Sequence, residues 1–243
     1  MSDARLSVLS RVREALGRTP EEAARARERV AAWAKERHPG LVPARGQLTA
    51  EDRIGLFIEY ARLVETEVER VAGPLAIPAV VSRYLRRHNL PQKLVMAPEP
   101  ALDAADWESQ PLLRIRRGTA DAGDPTGVTL ATAGVAETGT LLLASSSERP
   151  TLLAFLPETC IVILGTDRIM GSYEQAMALH LEETGALPRS LSFVTGPSRT
   201  GDIAQKLELG AHGPRRLFVV LVDPDDAAAS RTGPDGGPAA TGP

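Results

Sequence analysis

Within residues 127–147, GVTLATAGVAETGTLLLASSS, Glu137 is the only ionised side chain, set among small, hydroxylated and apolar residues. A carboxylate in such company needs a partner, a ligand or water. Two β-rich segments, 127–132 and 140–145, flank a turn of small residues at 133–139, a pattern that predicts a hairpin with Glu137 near its tip. Glycines at 134 and 139 allow backbone angles that a side chain would penalise, or let another group come close to the main chain beside Glu137. The simplest reading is a turn whose carboxylate meets solvent or caps the turn with Thr138 or Thr140.

Two further turns follow apolar strands. Gly165, Thr166, Asp167 and Arg168 come after the run CIVIL, and GPSRTGD at 196–202 comes after LSFVT. Each is expected to open a helix at the carboxyl end of a strand, where open α/β sheets bind ligands. Free N–H groups at such a start favour phosphate or carboxylate, and Arg199 would supply the countercharge. Gly196, Ser198, Thr200 and Asp202 complete that candidate, while simple helix capping by Thr166, Ser198 or Thr200 is the competing reading. A third cluster, GAHGP at 210–214, sets His212 beside Gly213, where the imidazole could donate a proton or contact a ligand.

The elements that must position these groups are an α/β set behind a helical segment. Residues 2–16 and 20–37 read as helices, the second opened by Thr19, Pro20, Glu21 and Glu22 and carrying mostly Ala, Arg and Glu. Residues 1–48 are expected to form an exposed arm or partner-binding segment. Thr49 and Asp52 open a third helix, whose apolar stripe of Ile54, Phe57, Ile58, Ala61, Val64, Val68 and Val71 predicts that it runs to about residue 71. A short helix at 78–88 follows. Strands are expected at 94–97, 112–115, 127–132, 140–145, 152–156, 160–164, 191–195 and 217–222, with an amphipathic helix at 167–183 making a strand–helix–strand unit. The domain is expected to span 49–222, and residues 223–243, rich in Gly, Pro, Ala and Asp, to form a disordered tail.

Composition excludes several classes. With 43% hydrophobic and 24% charged residues the chain has the balance of a globular protein, and a net charge of −3 argues against bulk attraction to nucleic acid or anionic membrane. The single cysteine, Cys160, rules out an internal disulfide, a Cys-based zinc site, or an iron–sulfur cluster held by this chain alone. The four histidines show no ligand spacing, so no metal site is expected. No apolar run approaches bilayer length and the N-terminal residues lack an export signal, which places the chain in the cytoplasm.

Three segments, GVTLATAGVAETGTLLL, CIVILGTDRIMGSYEQAM and FVTGPSRTGDIAQKLELGAHGP, together resemble the signature of the LUD-domain family over roughly residues 51–222. The resemblance implies a three-layer α/β sandwich with a mixed, largely parallel sheet, like the NagB, ribose-5-phosphate isomerase and CoA-transferase superfamily and related to the cyclo-ligases. It also implies a part in oxidising L-lactate to pyruvate beside partner proteins that carry iron–sulfur clusters; with no cysteine cluster and no GxGxxG fingerprint in the sequence, no cofactor is expected to be bound by this chain. Carried onto this sequence, its motif positions are Gly134, Glu137, Thr138, Gly139 and Thr140, then Gly196, Pro197, Ser198, Arg199, Thr200 and Asp202, then His212 and Gly213. Under that reading Arg199 and the turn N–H groups hold a small anion, and Glu137 or His212 handles a proton. An independent transferase or ligase using Glu137 is the other reading.

Overall fold

The computed structural model describes residues 3–17, 19–36, 42–201, 207–209 and 213–224. Two compact units divide the chain, Met1–Leu41 and Val42–Pro243. The first holds α1 (Asp3–Ala15) and α2 (Pro20–Glu36). The start of α2 is a reciprocal cap: the Glu22 N–H donates to Thr19 Oγ1 at 3.2 Å and the Thr19 N–H donates to Glu22 Oε2 at 2.9 Å. The tail expected to be disordered lies, from residue 225, outside the described residues.

The second unit runs α3 (Ala50–Leu63), β1 (Glu67–Val71), α4 (Ile77–Arg87), β2 (Lys93–Met96), β3 (Arg114–Arg117), β4 (Thr126–Leu130), β5 (Ala133–Val135) and β6 (Thr140–Ala144). It continues α5 (Leu152–Phe155), β7 (Thr159–Gly165), β8 (Ile169–Met170), α6 (Tyr173–Thr184), β9 (Leu191–Val194), β10 (Arg199–Gly201), β11 (Leu207–Leu209) and β12 (Arg216–Val222).

The expected single mixed sheet resolves into two. Six strands in the order β1-β12-β7-β4-β2-β3 are all parallel, and a separate mixed sheet has the order β8-β5-β6-β9. The central strand β7 is buried on both faces, which is why it reads as an unbroken apolar run. Ile161 and Ile163 face a core with Val80, Tyr84 and Leu85 of α4, whereas Cys160, Val162 and Leu164 face Ile54, Phe57 and Ala61 of α3 and Leu141 and Leu143 of β6. The small sheet has its own cover, with Ala133, Val135 and Leu142 packed on Ala176 of α6.

Several expectations are corrected. The third helix stops at Leu63, because Glu65 takes a left-handed backbone (φ 61°) and the Thr66 N–H turns back to the Ala61 carbonyl. Residues 67–71 then pair in parallel with β12, a contact that overrides their helical spacing. Residues 152–156 form one helical turn rather than a strand. Its Leu153 carbonyl comes so close to β4 that a Cβ on Gly127 would lie 2.2 Å away, which is the close approach a strand glycine permits. The segments 127–132 and 140–145 are not hairpin partners. After β4 the chain changes sheets, with Ala131 N–H bonded to the Ile163 carbonyl and Thr132 N–H to the Leu142 carbonyl, and the hairpin is made by β5 and β6. The strand–helix–strand unit also splits, since β9 joins the small sheet antiparallel to β6. The helix of 167–183 begins only at Tyr173, capped by Ser172 Oγ, and the turn at 196–202 leads into the two-stranded β10–β11 pair rather than into a helix.

Candidate functional site

Most of the residues singled out from the sequence do come together, at the carboxyl end of α3. A Cβ on Gly139 would sit 2.3 Å from the Ala61 nitrogen and one on Gly196 would sit 2.7 Å from the Val64 carbonyl oxygen, so both turns lie directly against that helix end. Thr140 Oγ1 is 2.7 Å from Thr195 Oγ1 and 3.1 Å from the Tyr173 hydroxyl, and Thr138 Oγ1 donates to the same Tyr173 hydroxyl at 3.0 Å. The Ser198 N–H bonds to the Pro214 carbonyl beside Gly213. Gly134 lies under Leu164 and Phe57.

The two charges of the predicted pocket have separate partners. Glu137 is 6% exposed and pairs with Arg45, whose Nε lies 3.7 Å from Oε2, an oxygen that has no hydrogen-bond partner among the described residues. Arg199 pairs with Glu65 at 2.6 Å on the surface. Asp202 and His212 lie outside the described residues, as does the side chain of Thr200.

A cleft of ≈ 580 Å³ opens elsewhere, beyond the carboxyl ends of β2, β4 and β7. The chain leaves β2 toward β3 on one side and leaves β4 toward β7 on the other, so the strand ends part at this point, the position where parallel α/β sheets bind ligands. Glu99 follows β2, Thr132 follows β4, and Gly165 and Arg168 close β7. Arg149, from the loop after β6, places Nη1 2.7 Å from Thr132 Oγ1 and grips Glu99 side-on, its Nε donating to Oε2 at 2.8 Å and its Nη2 to Oε1. Arg168 donates from Nε to the Thr132 carbonyl at 2.6 Å and grips Glu183 through both terminal nitrogens at 2.9 and 2.7 Å. Gly165 and Arg168 belong to a turn singled out in the sequence; Glu99, Thr132, Arg149 and Glu183 carry no spacing signal and were missed.

A model of the LUD domain matches residues 21–222. The chain belongs to the LUD-domain family. Among curated relatives, it is 33% identical over 111 residues to lactate utilization protein C of Geobacillus kaustophilus, covering 44% of this chain and 46% of that one. It is 34% identical over 99 residues to an uncharacterized protein of Neisseria meningitidis serogroup B, covering 41% and 42%. These alignments span under half the length of the curated relatives. In fold, the chain matches the crystal structure of a DUF162 family protein from Deinococcus radiodurans with a TM-score of 0.56 at 20% identity, over 72% of this chain and 99% of that one.

The cleft of this LUD domain is rich in unspent donors. A guanidinium has five N–H groups. Among the described residues, Arg149 spends three on Glu99 and Thr132 and Arg168 spends three on Glu183 and Thr132, which leaves two on each. The Ser146 hydroxyl accepts the N–H groups of Glu148 and Arg149, so its hydrogen is also unspent. The Arg168 hydrogen bonds hold the Glu183 carboxyl below its ordinary range, with the Arg149 charge adding to the effect, and Glu183 in turn raises Arg168. Arg168 is therefore a fixed cation on the wall. Among the described residues no group of three or more His, Cys, Asp or Glu is placed to hold a metal ion, and no helix is long and apolar enough to cross a membrane.

Proposed function

We propose that this chain is a non-redox subunit of an L-lactate utilisation system, holding a small carboxylate while L-lactate is oxidised to pyruvate alongside iron–sulfur partner proteins. The observation that carries the reading is the convergence of Arg149 and Arg168 on Thr132, with free N–H groups, at the strand-order switch of a parallel sheet. Family membership and the relatives named lactate utilization protein C support the metabolic context. The finer fold assignment, a three-layer sandwich of the NagB and CoA-transferase type, draws support from α4 on one face of the parallel sheet and α3 with the small sheet on the other. With one buried cysteine in the chain, electrons released from lactate travel through clusters held by the partners.

The test has two parts. Deleting the gene in a host with no second family member should abolish growth on L-lactate as sole carbon source while sparing growth on glucose. In the purified chain, L-lactate at a hundred times its dissociation constant should stabilise the fold by about 2.7 kcal/mol, and Arg149→Met should remove that gain. Normal growth, or a gain indifferent to Arg149, overturns the reading.

A second reading, a CoA-transferase-like or cyclo-ligase-like enzyme, draws support from Oε2 of buried Glu137, which has no hydrogen-bond partner among the described residues: the carboxylate would attack the acyl-CoA carbonyl, forming a mixed anhydride and releasing the CoA thiolate. Mass spectrometry of the Glu137 peptide after incubation with acyl-CoA would reveal the acyl adduct, a mixed anhydride; an unmodified peptide under turnover argues for the first reading.

A further inference from the structure

His180 stands on α6 as a buried polar side chain, 4% exposed, in the wall of the arginine cleft, and the anion-binding reading makes no use of it. Its Nε2 lies 3.4 Å from Thr184 Oγ1, one helical turn on. That hydroxyl has one hydrogen and two carbonyls within reach, those of His180 at 2.7 Å and Ala186 at 2.9 Å. A hydroxyl that donates to a carbonyl meets the imidazole as an acceptor, so Nε2 carries the ring hydrogen and Nδ1 of the neutral ring keeps its lone pair. Among the described residues no protein donor bonds to Nδ1.

The rest of the wall is the reverse. Among the described residues, Arg149 and Arg168 each keep two N–H groups unspent and Ser146 its O–H, while the carboxylate of Glu99 is already bound side-on, and that of Glu183 end-on, by the guanidinium groups. Leu130, Ala131 and Ile163 give an apolar floor. The complementary molecule has an anionic head for the donors, a short hydrocarbon part for the floor and one hydroxyl to donate to the single free imidazole nitrogen.

We infer that His180 is the specificity-determining residue of this cleft, its Nδ1 accepting the hydroxyl hydrogen of a bound hydroxycarboxylate and so selecting a hydroxy acid over the matching keto or deoxy acid. The inference rests on the cleft being the anion site. Thr184 is the positioning residue, since it fixes the tautomer that leaves Nδ1 open.

Isothermal titration of the full chain with L-lactate, pyruvate and propionate tests it. The wild type should bind L-lactate about tenfold more tightly than propionate or pyruvate, the worth of one good hydrogen bond. His180→Phe keeps a planar ring without the lone pair and should bring the three ligands to parity, whereas His180→Gln, which restores an acceptor, should recover part of the preference. Should His180→Phe fail to fold, nitrogen NMR of the wild type decides: the His180 Nδ1 resonance should move with L-lactate and stay with propionate. Equal binding of lactate and propionate by the wild type, with both lost in Arg149→Met, overturns the inference alone. Binding of no carboxylate at all overturns the anion cleft and this inference with it.

Discussion

Arg149 and Arg168, which reach the cleft from different loops, are docked on the same residue: Arg149 donates to the Thr132 hydroxyl at 2.7 Å and Arg168 to the Thr132 carbonyl at 2.6 Å. Thr132 can serve both because it sits where the chain passes from the parallel sheet to the small one, its own N–H already bonded to Leu142. The sheet switch thus sets the spacing of two cations.

That arrangement makes Thr132→Val informative. Valine fills the same space but accepts no hydrogen bond, so a partly buried Arg149 N–H loses its partner, at a cost of about 1–2 kcal/mol. Urea denaturation should show a lower midpoint with an unchanged slope. A shift indistinguishable from zero would mean that this bond does not hold the arginine.

Two glycines separate packing from backbone conformation. Gly139 (φ 63°) and Gly185 (φ 72°) both adopt left-handed backbone, but a Cβ at Gly139 would meet the Ala61 nitrogen at 2.3 Å while one at Gly185 would meet nothing within 4 Å. Gly185→Ala should cost about 1 kcal/mol, the conformational penalty alone. Gly139→Ala must also push the hairpin tip off α3, and should cost about 3 kcal/mol or more. Similar losses in equilibrium denaturation would show that the tip is not seated on the helix.

Cys160 should be chemically silent in the native protein. It is 1% exposed within the β7 core and burial pushes its thiol up to about 12, so the thiolate that reacts with disulfide reagents is scarce. A chromogenic disulfide should label it only in denaturant, at a rate that tracks unfolding. Rapid stoichiometric labelling without denaturant would contradict the packing of that strand.

Local signals carried much of this fold. Thr19, Pro20 and Glu22 announced α2, Thr49 and Asp52 announced α3, and the two-sided apolar run of β7 announced a buried parallel strand. The errors lie where a distant partner decides. Val68 and Val71 continue the spacing of α3 and become strand only because β12 offers an edge. The site divides in the same way. Gly165 and Arg168 were legible as a turn at a strand end, whereas Glu99, Thr132 and Arg149 follow β2, β4 and β6 and become neighbours only once β2 is known to lie beside β4 and β6 to belong to the small sheet.

The Arg168–Glu183 pair gives the cleft wall a pH signature. Arg168 hydrogen bonds hold the folded-state Glu183 pKa below its ordinary value of 4.5, so between the two values the unfolded chain binds more protons than the folded one and stability rises with pH. The contribution is therefore complete at neutral pH and is lost as pH falls below 4.5 through the folded value. Glu183 is 43% exposed, so solvent screening limits the pair to roughly 0.5–1 kcal/mol, and less at high salt. Glu183→Gln removes the titrating group; the stability gap between wild type and variant should be present at pH 7, shrink toward pH 3, and narrow further in 1 M salt. A gap constant from pH 7 to pH 3 in denaturation experiments would show that the carboxylate is not held as an ion by Arg168.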